Sequence, residues 1–349
     1  MVGKLRSLEM LRAVAALLVV LYHAQTIFTP RAGFVPLGGV FDAGYRGVDL
    51  FFVLSGFIIA YVHGDDIGRP ARLANYVFNR FTRIYPAVWI MTALAFGLYA
   101  IGFGDADKAA KLAPGAVAAS ALLLPQHGAP LVNVTWTLTY ELFFYALFAI
   151  LIVNRRIGLV LLLLWQGATL VATLSGAHLG LPGYYLRSLC LDFSIGLACA
   201  WWLRRPGGVA SPSVWFALLA AGIASFIAGM ALNNVVTWSG VPCGLGAGAI
   251  ILALVRLEQA AALGVPGVLM RLGGASYSIY MVHFSTITLL AAVLARLHVP
   301  VTNLLCVGCA VAGVVAGLAF DRFIDRSIQH WFRQRKSVLL RLQPVQRAA

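Results

Sequence analysis

Ten mostly apolar stretches, each 17 to 23 residues long, run through this chain of 349 residues: 8–28, 47–63, 85–103, 134–153, 157–175, 184–203, 213–232, 235–255, 275–296 and 299–321. At a rise of ~1.5 Å per residue, about 20 residues cross the ~30 Å hydrocarbon layer of a bilayer. No water reaches the backbone there, so each stretch must close its hydrogen bonds on itself as a helix. The sequence therefore specifies an all-α polytopic membrane protein with about ten transmembrane helices. Hydrophobic residues make up 61% of it and charged residues 11%, against roughly 25% charged in soluble domains. No soluble core could enclose so much apolar surface. A net charge of +14 could suit nucleic acid, but the basic residues are dispersed between spans, so no nucleic-acid partner is expected. The lipid bilayer is the partner.

Basic residues accumulate on the cytoplasmic side of such proteins. With ten spans and a cytoplasmic N-terminus, twenty Lys and Arg residues fall inside, from Lys4, Arg6 and Arg12 to a tail carrying Arg341 and Arg347. Six fall outside: Arg31, Arg46, Lys108, Lys111, Arg187 and Arg296. The apolar segment Leu112–Leu124, bracketed by Pro114 and Pro125, could be an eleventh span. It would move thirteen inside charges out and only two in, so ten spans with both termini cytoplasmic is the expected topology. Residues 1–321 are read as one membrane domain and 322–349 as a basic cytoplasmic tail. Ile324, Ile328, Trp331 and Phe332 recur in that tail at helical spacing, which suits a helix on the anionic leaflet. The stretch 8–28 is long for a signal peptide and no cleavage site stands out after it, so it reads as an uncleaved first span. Cys190, Cys199, Cys243, Cys306 and Cys309 fall in apolar segments as core residues, and no metal is expected.

Ionisable residues inside spans are costly and mark function by default. On the first span Arg12 and His23 are eleven residues apart, which places them on one helical face, with Glu9 one turn before Arg12. Arg46 and Asp49 open the second span, where a helix-capping ion pair and a substrate contact are equally good readings. Ser55 and Gly56 follow it mid-span as small packing residues. Glu141 lies about seven residues, or ~10 Å, into the fourth span, flanked by Thr137 and Tyr145. On the ninth span Ser276, Tyr280 and His283 share a face, and a helix contact explains His283 as well as catalysis does. Arg80 and Arg83 form a cationic fork suited to a phosphate-rich ligand; positive-inside anchoring is the plainer alternative.

Together these segments resemble the acyltransferase-3 family of bacterial membrane proteins. The likeness rests on Arg12 through Tyr22-His23, on Arg46-Gly47-Val48-Asp49-Leu50-Phe51-Phe52-Val53-Leu54-Ser55-Gly56-Phe57, on Arg80-x-x-Arg83-Ile84-Tyr85-Pro86, on Trp136-Thr137-Leu138-Thr139-Tyr140-Glu141 and on Ser276-Tyr277-Ser278-Ile279-Tyr280-Met281-Val282-His283. The chain looks most like stand-alone exopolysaccharide acetyltransferases; the SGNH hydrolase-like domain of some members has no counterpart here. The resemblance implies a multi-pass protein of the bacterial inner membrane that takes an acyl, most simply acetyl, group from cytoplasmic acyl-CoA to a hydroxyl of a surface or lipid-linked carbohydrate. Arg80 and Arg83, with Arg12, would hold the donor's phosphates. His23 would be general base or acyl carrier, with Glu141 orienting it as the acid of a triad does. Arg46, Asp49, Trp136, Tyr140, Tyr280 and His283 would contact substrate. A transporter or export subunit is the alternative outside enzymes, although no internal repeat is visible. A succinyl donor or a small-molecule acceptor is the alternative within them. A homo-oligomer is compatible with any of these.

Overall fold

The computed structural model describes residues 5–103, 107–176, 180–181, 183–205, 211–233, 235–236 and 238–340; Lys4 and, in the tail, residues 341–349 with Arg341 and Arg347 lie outside them. The described residues contain no strand. The helices are α1 (Arg6–Ala32), α2 (Gly47–His63), α3 (Leu73–Ala100), α4 (Lys108–Lys111), α5 (Pro114–Leu122), α6 (Trp136–Val153), α7 (Arg155–Ser175), α8 (Cys190–Leu203), α9 (Pro212–Ala231), α10 (Gly240–Gln259), α11 (Gly267–Gly274), α12 (Ser276–Arg296), α13 (Asn303–Phe320) and α14 (Arg326–Leu339).

Nine helical segments among the described residues are long and apolar enough to cross a membrane, and α8 is the shorter tenth. The expected span 184–203 is trimmed because Tyr184–Leu186 form a single 3₁₀ turn. The 14 residues of α8 rise only ~21 Å. A helix that short is tolerated where protein rather than lipid surrounds its ends, and α8 is packed among α2, α7 and α10. Its contact with α2 is backbone on backbone. A Cβ on Gly56 would sit 2.1 Å from the Phe193 carbonyl oxygen, and one on Gly196 would sit 2.1 Å from that of Val53. Only glycine permits that approach at both positions. The segment 112–124 supplies the nine-residue α5, too short to span. It lies against α3, where Tyr85 and Trp89 donate to the carbonyls of Leu122 and Ala121.

α1 begins beside the end of α10, because Glu258 accepts from the Arg6 and Ser7 amides at 2.7 and 2.8 Å and so caps the open first turn. α11 crosses α1 at Glu9, and the far ends of α1 and α12 meet where Arg31 donates to the Ala291 carbonyl. Both described chain ends therefore lie on one face, called here the terminal face. α3 starts at Leu73 rather than at 85, so Arg80 and Arg83 ride on the helix itself. α13 passes through a π-helical turn, Asp321–Asp325, into α14. The tail helix does not stand alone as a surface helix. It docks on the first turns of α3, where Gln329 donates to the Thr82 carbonyl at 2.7 Å, Lys336 to Asn79 at 2.7 Å, and Phe332 meets Phe78 edge-on.

Candidate active site

A cavity of about 170 Å³ lies between α1, α2, α3, α6 and α12. Arg12, Arg80 and Arg83 line it, and Glu141 is the one carboxyl group among its lining residues. α6 turns Thr137, Leu138, Glu141 and Tyr145 towards it, at the i, i+4 spacing of one helical face. Ser55, taken from sequence as a packing residue, faces it too. Its hydroxyl donates to Glu141 Oε1 at 2.9 Å, and the Tyr145 hydroxyl donates to the same oxygen.

Each guanidinium has protein partners of its own. The Arg80 guanidinium lies over the rings of Tyr145 and Tyr76, at 5.5 and 6.0 Å. It also approaches His63 Nε2 at 3.4 Å, while His63 Nδ1 holds Asp66 at 2.8 Å. Its Nε is buried without a partner. Arg83 pairs with Asp325 of the π turn at 3.1 Å and stacks over Tyr277 at 4.5 Å. Arg12 meets Glu9 at 3.7 Å, as their spacing suggests. His63, Asp66, Tyr277 and Asp325 were not singled out in the sequence. Their part depends on the docking of α2, α12 and α14 around α3, which no local pattern reports.

His23 does not line this cavity. It lies past the far end, where the rings of Phe51 and Tyr280 meet edge-on, 5.8 Å apart. Tyr280 lines the cavity with its hydroxyl tied to Thr137 and to the Val134 carbonyl. Its ring centre is 5.8 Å from that of His283, which is 5.1 Å from that of His23. His23 Nδ1 and His283 Nε2 are 3.0 Å apart. The partner of His23 is thus a second histidine from α12, and Glu141 is engaged elsewhere. The triad arrangement of Glu141 and His23 expected from sequence is not the one found.

The remaining sequence candidates fall outside the cavity. Trp136 and Tyr140 point to the other flank of α6. Tyr140 is 1% exposed and stacked on Tyr184 at 4.6 Å, with Trp136 against its edge. His283 is fully enclosed, which leaves no surface for a substrate. Arg46 and Asp49 are buried at the start of α2. Arg46 reaches Asp49 at 3.4 Å, Asn233 at 3.2 Å and Ser239 at 2.6 Å, and Asp192 of α8 is buried against the same stretch of α10. Asp192 was missed, although an acid inside a span was the available signal.

The profile of the acyltransferase-3 family, described as an acyltransferase domain, matches residues 5–320. The chain is similar to the exopolysaccharide production protein ExoZ of Rhizobium meliloti, 28% identical over 328 residues, covering 86% of this chain and 94% of that protein. It is also similar to protein 2 in the picA locus of Rhizobium radiobacter, 34% identical over 100 residues (27% of this chain, 48% of that one). A third relative is the peptidoglycan O-acetyltransferase OatA of Listeria monocytogenes, 31% identical over 99 residues (28% of this chain, 14% of that one). No solved structure matches the chain.

Proposed function

The chain belongs to the acyltransferase-3 family and is a multi-pass membrane acyltransferase, and we propose that it carries an acetyl group from cytoplasmic acetyl-CoA to a hydroxyl of a surface or lipid-linked polysaccharide in the bacterial inner membrane. One observation carries this reading: three arginines converge on a single cavity whose wall offers one carboxyl group. A cavity so charged among lipid-embedded helices suits a polyanion. Guanidinium groups suit the phosphates of a coenzyme A thioester in particular. In this reading the terminal face, which collects most of the basic residues, is cytoplasmic. The nucleotide end of the donor stays near Arg80 and Arg83, and its thin thioester arm passes Ser55 and Glu141 towards the Phe51–Tyr280 end. The acceptor type follows the relatives, a protein of exopolysaccharide production and a peptidoglycan O-acetyltransferase.

His23 takes the proton of the acceptor hydroxyl as its oxygen attacks the thioester carbon. The new C–O bond forms, the C–S bond breaks, and the proton is returned to the departing thiolate. A second reading has its own support. Glu141 faces the cavity while His23 stands outside it, so the base for acceptor or thiol could be Glu141 itself. The two separate in inner-membrane vesicles supplied with labelled acetyl-CoA. The first reading expects transfer to polysaccharide to fall by roughly 10²–10⁴-fold in His23→Ala, the range for loss of a general base. Unchanged transfer in that variant would remove His23 from the chemistry. Absence of any acetyl-CoA-dependent labelling by the unaltered protein would remove the donor.

A further inference from the structure

The two histidines, 260 residues apart in sequence, are joined ring to ring, and the outer end of the chain they form is a backbone carbonyl. His283 Nδ1 lies 3.0 Å from the Ile279 carbonyl oxygen, one turn back on α12. A carbonyl oxygen only accepts, so His283 Nδ1 carries a hydrogen. His283 is fully buried, and Gly313 of α13 closes over it so tightly that a Cβ there would be 3.3 Å from the His283 Cβ. No carboxylate pairs with it among the described residues. A second proton on His283 would therefore be an uncompensated charge in a lipid-embedded core. With His283 neutral and hydrogen on Nδ1, its Nε2 is a bare lone pair. The hydrogen of the 3.0 Å contact must then sit on His23 Nδ1.

We infer that His283 is a positioning residue which, through the Ile279 carbonyl, fixes His23 in the tautomer whose Nε2 is unprotonated and free to accept the acceptor's proton. The inference rests on the proposed role of His23 as base. It assigns to a neutral imidazole the task that a carboxylate performs in a hydrolase triad. When His23 Nε2 gains the proton, the positive charge is shared along two aligned N–H bonds towards a carbonyl dipole. A carboxylate in that place would have to remain ionised in a nearly dry core during the whole cycle, at considerable cost. The neutral relay holds no charge until the proton moves. It also explains why a ring with no access to substrate is packed so carefully against α1 and α13.

The test has two parts. In detergent-solubilised protein labelled with ¹⁵N-histidine, with His23 assigned from its missing signals in His23→Gln, the inference expects a protonated Nδ1 and an unprotonated Nε2 on His23. The opposite tautomer would overturn it. In kinetics, His283→Leu removes the acceptor while keeping an apolar filling, and is expected to lower kcat by roughly 10²–10³-fold, within the range for a misdirected base, with the KM for acetyl-CoA little changed. His283→Gln places an amide oxygen near the lost Nε2 and should restore at least about a tenth of the wild-type kcat, because one hydrogen bond is worth only ~1 kcal/mol more or less than another of its kind. If His283→Leu keeps full kcat while His23→Ala is inactive, His283 has no positioning role and the reading of His23 stands. If His23→Ala is itself active, the underlying reading fails first. Should the leucine variant lose donor binding as well, the tautomer seen in the unaltered protein decides.

Discussion

Two arginine sites in this molecule use the same side chain to opposite ends. At the start of α2, Arg46 is 8% exposed and surrounded by Asp49, Asn233, Ser239 and the ring of Tyr45. Asp192 of α8 is buried beside the same stretch of α10. Gly240 and Gly244 of α10 press directly on the cluster, where any Cβ would come within 3.0 Å of Arg46 and 2.1 Å of Asp192. Further along α2, Arg12, Arg80 and Arg83 line a cavity with one carboxyl group in its wall. Glu9 and Asp325 pair with Arg12 and Arg83 from outside the cavity lining. An arginine enclosed with its partners and no void ties helices together. Three arginines lining a void are a place for an anion.

The largest effect should come from breaking the enclosed site. Arg46→Ala leaves a buried carboxylate unpaired, and losing one partner of such a pair costs about 3–5 kcal/mol. Melting followed by size-exclusion in detergent should show a clear loss of folded protein, before any question of activity. A fully folded but inactive Arg46→Ala protein would mean that this cluster touches substrate after all, as the sequence alone allowed. The cavity should respond in the reverse manner. Arg80→Gln should leave melting nearly unchanged and raise the KM for acetyl-CoA by roughly 10–100-fold, as expected for losing a hydrogen bond to a charged group; Arg83→Gln should raise it similarly and also lower the melting temperature, because buried Asp325 loses its cation. A change confined to acceptor affinity would contradict the assignment. Glu141→Gln should have the smallest consequence. The amide oxygen can still accept from Ser55 and Tyr145, so kcat should fall by less than about tenfold, short of the 10²–10⁴-fold expected on losing a general base. A loss in that larger range would favour Glu141 over His23 as the base.

The spans were legible because lipid imposes one length and one secondary structure. α8 was misjudged at its start because Tyr184, Tyr185, Leu186 and Leu189 are as apolar as a helix. Their rings instead fold onto Tyr140 and Phe143 of α6 as a turn. Intramembrane charge drew notice to Arg12 and Glu141, which line the cavity, and to Arg46 and Asp49, which do not. Which of these meet could not be read from it. Trp136 and Thr137 are neighbours in sequence but a ~100° step apart around α6, and only the packing of α2, α3 and α12 decides that Thr137 sees the cavity. The His23–His283 contact joins the first span to the ninth and has no local signature at all. The burial of Asp192 near Arg46 was hidden for the same reason, although an acid within a span was a usable hint.

Competition binding asks most directly whether the cavity arginines receive the donor's phosphates. Labelled coenzyme A bound to the detergent-solubilised protein should be displaced by unlabelled coenzyme A and acetyl-CoA, and hardly at all by pantetheine, which has the same thiol arm and no phosphate. In Arg80→Gln/Arg83→Gln protein that selectivity should disappear. Displacement by pantetheine as effective as by coenzyme A, or unaltered coenzyme A binding in the double variant, would contradict the donor site described for this cavity.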